Sequence, residues 1–324
     1  MKRKYISQAD DDLNILSSVS RNEKAPKRRK RLLPWLALLL AATVTMTGIY
    51  AFFIEPRLLS ITHLTVSGPD LPDSWDGRTI AFFSDTHLGP DYTVGQLGKL
   101  ADAVIAAAPD LILFGGDLVD YRTPTDEAYE QSVGDVLARM QAPLGKYAIS
   151  GNHDTRLRAE LLLMSRMLRR GGFELMLNES VVLDGIWLGG LEESYFGNPD
   201  YGKAFSDAGL IEPSGQTGET GAAGPAGSET RPGFRILLMH QPDYAADRLI
   251  DQADLILSGH SHNGQVTFFG KPLMTVYQGS RYPYGQYGLS ARSTMIVSRG
   301  LGTVGLPVRL FAAPELMLIT LKKN

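Results

Sequence analysis

The sequence predicts an α/β domain carried behind a membrane-spanning helix. Three features point there. An uncharged apolar run occupies residues 32–54. Beyond it, short apolar runs alternate with helical patterns. Each of those runs stops at an aspartate, asparagine or histidine.

The first run, LLPWLALLLAATVTMTGIYAFFI, is long enough to cross a bilayer, which takes roughly 20 apolar residues. KAPKRRKR precedes it, whereas the other flank offers Arg57 beside Glu55. The positive-inside bias therefore places residues 1–31 in the cytosol as a basic tail, 32–54 in the membrane as an anchor, and the remainder outside. A signal peptide cleaved on export is the alternative. An uncleaved anchor is favoured because the run exceeds the ~7–15 residues of a typical signal core and no A-x-A-like site comes after it.

The runs RTIAFF (78–83), DLILF (110–114), KYAIS (146–150), RILLM (235–239) and DLILS (254–258) have the length of buried strands. Between them, 96–108, 128–140 and 156–170 read as helices, the first followed by Pro109 and the last by Gly171-Gly172. Strand–helix alternation defines the α/β class. The heavy apolar face of 156–170 can cover a sheet or lie on a membrane, and packing on a sheet is the ordinary use. Residues 213–233, PSGQTGETGAAGPAGSETRPG, carry glycine at every third position from 215 to 227. With Pro225 alone inside that repeat, a collagen-like helix is not expected, and the segment reads as a flexible surface insertion in a domain covering 55–324.

Composition excludes several classes. No cysteine is present, so disulfides, thiolate ligands and a cysteine nucleophile are absent. A net charge of −3 gives no electrostatic basis for binding nucleic acid.

The residues just past these runs carry the chemistry. Asp85-Thr86-His87 succeeds the first, Gly116-Asp117 the second and Gly151-Asn152-His153-Asp154 the third. His240 and Gly259-His260-Ser261-His262 succeed the last two. Of the six histidines, only His63 lies elsewhere. Functional groups in open α/β sheets gather beyond the carboxyl ends of the strands, so these clusters are expected to converge. Leaving His153 aside, Asp85, His87, Asp117, Asn152, His240, His260 and His262 are too many ligands for one tetrahedral ion. They suit two divalent ions sharing a carboxylate, and nitrogen–oxygen donors without sulfur fit Mn, Fe or Zn. Such a pair clamps a phosphoryl group and makes hydroxide available near neutral pH.

Together, D85-x-H87, G116-D117, G151-N152-H153-D154, H240 and G259-H260-x-H262 resemble the signature of the calcineurin-like metallophosphoesterase superfamily, over roughly Leu71 to Leu321. The anchor, LPDSWDGRTIAFFSDTHLG, HQPDYA and the SRGLGTVGLPVRLFAAPELMLITL ending resemble its membrane-associated bacterial YkuE/YaeI-like phosphodiesterase branch, whose relatives include a pyrophosphatase acting on UDP-diacylglucosamine. The resemblance implies a four-layer α/β/β/α sandwich of two packed mixed sheets. It implies one metal on Asp85, His87 and His262, another on Asn152, His240 and His260, and Asp117 as the bridge. It implies His153 as acid for the leaving group, oriented by Asp154, and a metal-bridging hydroxide as nucleophile. Asn263 stands where the family often has glycine, a position open to a left-handed backbone. Tyr282, Tyr284 and Tyr287 in RYPYGQYG are either packing residues or substrate contacts.

The expected function is hydrolysis of a phosphodiester, pyrophosphate or phosphomonoester, on a membrane- or envelope-linked substrate. A non-catalytic metal-binding scaffold and a two-metal peptidase are the alternatives.

Overall fold

The computed structural model describes residues 29–206, 209–211 and 233–324. The chain falls into two compact units, Met1–Gly48 and Ile49–Asn324. Helix α1 (Arg29–Ile49) opens the described residues. Among these, Leu32–Arg57 alone is helical, long and apolar enough to cross a membrane.

The second unit contains fourteen strands among its described residues. In chain order they are β1 (Ser60–Gly68), β2 (Thr79–Phe83), β3 (Leu111–Phe114), β4 (Lys146–Ala148), β5 (Glu174–Leu175), β6 (Glu179–Leu183) and β7 (Ile186–Gly190). Next come β8 (Arg235–Leu238), β9 (Leu255–Ser258), β10 (Thr267–Phe268), β11 (Lys271–Pro272), β12 (Gly285–Gly288), β13 (Thr294–Val297) and β14 (Glu315–Lys323). The helices are α2 (Val94–Ala107), α3 (Glu127–Arg139), α4 (Asn152–Thr155), α5 (Arg158–Arg170), α6 (Tyr201–Ala204) and α7 (Pro242–Arg248). All five strands and three helices expected from the sequence are present, with ends shifted by a residue or two.

One sheet has the order β1-β14-β2-β3-β4-β5 and the other β12-β13-β9-β8-β7-β6. Both are mixed. β14 runs antiparallel to β2, while β2, β3 and β4 are mutually parallel. β7, β8 and β9 are likewise parallel, with β6 and β12 antiparallel at the two edges.

Alternation along the strands builds the layers. Ile80 and Phe82 join Leu111, Leu113, Ile236, Leu238, Leu255 and Leu257 in a core between the sheets. Their neighbours Ala81, Phe83, Ile112 and Phe114 face outward onto Leu97, Leu100, Val133, Leu137, Met164 and Met167 of α2, α3 and α5. Leu237, Ile256, Met295 and Val297 face the opposite way, onto Ala204, Ala245 and Ala246 of α6 and α7. Strands buried on both faces read as continuous apolar runs, which is why these five are visible in the sequence. The result is the four-layer α/β/β/α sandwich. The apolar face of α5 packs on the sheet: Leu163, Met164, Met167 and Leu168 are buried there.

The insertion at 213–233 lies, Gly233 apart, outside the described residues. Leu210, just before it, bridges to Ser180 on the edge strand β6. Tyr284 packs against the inter-sheet core, and Tyr282 and Tyr287 against the α7 side. Tyr287 and Tyr284 are tied to each other, the Tyr287 hydroxyl donating to the Tyr284 carbonyl at 2.7 Å. These three tyrosines are packing residues.

Candidate metal centre

Parallel strands end on one edge of their sheet, and here the two edges meet. β2, β3 and β4 deliver Asp85, Asp117 and Asn152 from one sheet, and β8 and β9 deliver His240 and His260 from the other. Hydrogen bonds join the rims. The backbone N–H of His260 donates to both carboxylate oxygens of Asp85, at 3.0 and 3.1 Å. His240 Nδ1 donates to the Gly115 carbonyl at 2.7 Å, which turns Nε2 toward Asp117.

The side chains converge through their donor atoms. His87 Nε2 is 3.1 Å from His262 Nε2, and His262 Nε2 is 3.4 Å from Asp85 Oδ1. Asp117 Oδ2 lies 3.6 Å from His87 Nε2 and 3.2 Å from His240 Nε2. Ligands about 2.1 Å from a shared ion stand roughly 3.0–3.4 Å apart, so these separations suit cation coordination. Asp85, His87 and His262 form one candidate group, and Asp85, Asp117 and His240 another. Asn152 Oδ1 is buried without a hydrogen-bond partner, as an atom facing an ion would be. His260 joins from the side, its ring 5.1 Å from that of His240. Its Nε2 donates to the Tyr277 carbonyl at 2.8 Å, leaving Nδ1 as the available donor atom.

Electrostatics match. Burial raises the Asp85 carboxyl, but the His262 and His240 imidazoles more than offset it and hold it low. Burial also raises Asp117, which His240 and His87 pull well below the usual carboxylate range. Burial drives His87 down, and burial with repulsion from His240 lowers His260 to about 4. Both imidazoles are therefore neutral, as ligands must be. Burial disfavours a charge on His240 too, but Asp117 overrides it and raises the ring to about 10. The proton it holds against Asp117 is one that a bound cation would displace.

The backbone is strained around this cluster. Asp85, His87, Asp117, His260 and His262 all have positive φ, between 44° and 70°. Asn263 shares the conformation at φ 49°, as its side chain permits. Gly116 has φ +93°, and a Cβ there would sit 2.6 Å from the Gly151 nitrogen and 2.9 Å from His240 Nδ1. A Cβ on Gly259 would run into the Asp85 carboxylate and Ser84 Oγ. The glycines of the motifs are thus imposed by ligand crowding.

Asp154 differs from its sequence-derived role. Its carboxylate accepts from the backbone N–H groups of Asp117 (2.7 Å), Val119 (3.0 Å) and Gly151 (2.9 Å). No hydrogen bond joins it to the His153 imidazole; it braces the two ligand-bearing loops. The His153 ring stands edge-on to His87 at 4.7 Å, and its backbone N–H donates to Asp117 Oδ1 at 2.8 Å. His63 is exposed on β1, away from the cluster.

Three residues near the site are not among the candidates drawn from the sequence, although Arg309 lies within the SRGLGTVGLPVRLFAAPELMLITL segment. Asp120 is buried with both carboxylate oxygens unpartnered, and one ligand-type atom each of His87, Asp120 and His153 lies within 4.8 Å of the others. The available signal is a second aspartate three residues after Asp117. The Tyr195 hydroxyl lies 3.0 Å from His260 Nε2. Arg309 is fully buried, with Nη2 3.4 Å from His262 Nδ1, and burial lowers it to about 10. Tyr195 sits in a loop with no local pattern to mark it, and Arg309 in a loop whose spacing carries no ligand-type signal.

A family model described as calcineurin-like phosphoesterase matches residues 78–264. The chain is 32% identical to the "uncharacterized metallophosphoesterase YkuE" of Bacillus subtilis, over 93% of this chain and 99% of that one. It is 26% identical to the UDP-2,3-diacylglucosamine pyrophosphatase LpxG of Chlamydia trachomatis, over 88% of this chain and 95% of that one. A "transmembrane protein with metallophosphoesterase domain" from Danio rerio is 27% identical over 89% of this chain and 62% of its own. The sandwich, the convergent carboxylates and imidazoles, and these matches lead to one conclusion: the chain belongs to the calcineurin-like phosphoesterases and is a metal-dependent hydrolase of phosphoric esters.

Proposed function

We propose that the protein is a dinuclear phosphodiesterase, with pyrophosphates and phosphomonoesters as further substrate types, working on a membrane- or envelope-linked phosphate. The observation that carries this is the position of Asp117 Oδ2, 3.6 Å from His87 Nε2 and 3.2 Å from His240 Nε2, between two groups of donor atoms. In this reading Asp85, His87 and His262 would hold one ion and Asn152, His240 and His260 the other, with Asp117 available to both. Divalent ions of the Mn, Fe or Zn type held there would supply charge neutralisation for a phosphoryl group and a more acidic water.

The chain's own residues do the rest. Asp154 holds the Asp117 and Gly151 loops in register through its three backbone bonds. Tyr195 and the Tyr277 carbonyl fix the orientation of the His260 ring. The His153 ring nitrogen Nδ1 is buried without a hydrogen-bond partner, and the ring is free to donate a proton to the leaving oxygen. Residues 1–31 form the cytosolic tail, 32–54 the anchor, and 55–324 an extracytoplasmic catalytic domain. LpxG, by its name, acts on UDP-2,3-diacylglucosamine as a pyrophosphatase. That kinship and the apolar span support a substrate at the membrane.

The test uses the full chain in detergent, with elemental analysis and turnover of bis-p-nitrophenyl phosphate and p-nitrophenyl phosphate. About two ions per chain and chelator-sensitive cleavage, faster on the diester, are expected. His153→Ala should keep its metal and lose at least about 100-fold in turnover, the scale of one general acid. A wild-type rate in that variant would remove His153 from the mechanism.

A further inference from the structure

The apolar surface beside the site has a structure of its own. β10 and β11 form a hairpin whose two loop residues, Phe269 and Gly270, have φ 50° and 76°. Such turns favour Asn-Gly, because φ above zero strains a bulky side chain. Phe269 nevertheless occupies the first position and is 93% exposed. Phe311 repeats the anomaly: φ is 57° and the ring is 65% exposed. Two strained, solvated phenylalanines contribute nothing to the core of this domain.

They lie on connected segments. Thr267 Oγ1 donates to the Phe311 carbonyl at 3.0 Å, and the Thr267 N–H to the Leu310 carbonyl at 2.9 Å. The Arg309 N–H donates to the Ala51 carbonyl at 3.0 Å, and the Ala312 N–H to Glu55 Oε1 at 2.7 Å. Hairpin, loop 304–311 and residues 51–55 are therefore tied together. Residues 51–55 are where the apolar span ends. Phe268, Leu273, Met274 and Leu306 extend the exposed apolar surface around the two phenylalanines. Segments 266–280 and 301–313 contain no Asp or Glu in a chain with 35 of them, and Lys271 and Arg57 are the exposed cations nearby. An apolar surface with a cationic edge suits a bilayer interface and its anionic headgroups.

The same segment reaches the metal cluster. The Tyr277 carbonyl accepts from His260 Nε2 at 2.8 Å. We propose that the 267–274 hairpin and the 304–311 loop insert into the bilayer surface, forming a second membrane contact that holds the domain with its metal site at headgroup level. The proposal rests on the reading of 32–54 as an anchor and goes beyond a tether: an anchor alone leaves the domain free to tumble, whereas this contact fixes which face meets lipid.

The absence of native cysteine makes the test direct. Full-length Phe269→Cys, Leu273→Cys and Asn324→Cys chains, each labelled with bimane, are placed in nanodiscs of phosphatidylcholine and phosphatidylglycerol carrying a nitroxide lipid. Asn324 lies just past β14, about 30 Å of strand away from the 304–313 loop. Quenching at least about threefold stronger at 269 and 273 than at 324 is expected, as insertion into the acyl boundary requires. Equal quenching at all three overturns the proposal. A blue shift at 269 without lipid quenching also overturns it, because a second copy of the chain then covers the surface. Cleavage of bis-p-nitrophenyl phosphate on the same discs reads the phosphoesterase site separately, since it needs no contact with lipid.

Discussion

Asp154 gives the sharpest test of how the site is built. Oδ2 accepts from Asp117 and Gly151 and Oδ1 from Val119, in a fully buried setting. In an Asp154→Asn chain the new side chain can keep two of these bonds by placing its amide oxygen at the Oδ2 position. Its NH₂ then meets the Val119 N–H, donor against donor. Burial and the neighbouring Asp117 charge raise the Asp154 carboxyl to about 7, so the comparison is made at about pH 8.5, where it is ionised. Hydrogen bonds to a charged group contribute about 1.5–3 kcal/mol each, and a stranded buried donor costs about 1–3 kcal/mol. Both figures describe the same lost bond in part, so a net loss of about 2–4 kcal/mol is expected. For a domain of this size that is a fall of roughly 5–12 °C in Tm. The ligand loops loosen with it, so metal affinity should drop about 10- to 100-fold. The assay is thermal unfolding of the full chain with and without Mn²⁺, paired with calorimetric metal titration. A variant with unchanged Tm and metal affinity but a reduced kcat would refute the bracing role and return Asp154 to orienting His153.

Other expectations rest on single contacts. Gly259→Ala pushes a methyl into the Asp85 carboxylate and should lower bound metal below that of the wild-type chain by elemental analysis. Tyr195→Phe removes the hydroxyl 3.0 Å from His260 Nε2 but spares the Tyr277 carbonyl, so about a tenfold weaker metal affinity is expected in the same titration. Lys146 is buried where α3 and α5 end, its amine donating to the Leu137, Met140 and Gly171 carbonyls, and burial lowers it to about 8. An unfolded lysine titrates near ~10.4, so between these values the unfolded chain binds more protons than the native one. Stability from this group therefore rises as pH climbs from about 8 to ~10.4 and is flat below that window. Wild type minus Lys146→Met, compared by denaturant unfolding at about pH 7 and about pH 10, should show that gain; a difference independent of pH would contradict it.

Much of this protein is legible in the chain because its chemistry is periodic. Strands such as IAFF and LILF are buried on both faces, and a run of that kind survives in one dimension as plain hydrophobicity. Ligands come directly after such strands, because parallel strands expose their carboxyl ends on one rim. Strands β6 and β7 are harder to see, since their apolar runs, VVL and IWL, are only three residues long on either side of the Asp184-Gly185 turn. β1 and β14 escape a local reading for a different reason. They pair with each other from opposite ends of the domain, Ser60 opposite Glu315, a relation no local window contains.

The sequence by itself determined the class of fold and the apolar span, and it singled out Asp85, His87, Asp117, His240 and His262, which the fold brings together. Tertiary structure decided which atoms face each other. It turned His260 Nε2 toward Tyr277 and left Nδ1 available, assigned Asp154 to backbone N–H groups, and brought Asp120 beside His87 and His153. It also joined Phe269 and Phe311 to the end of the span through hydrogen bonds between segments far apart in the chain. Side-chain identity limits which bonds are possible, but orientation depends on neighbours supplied by distant strands and loops, and only the folded chain brings those neighbours together.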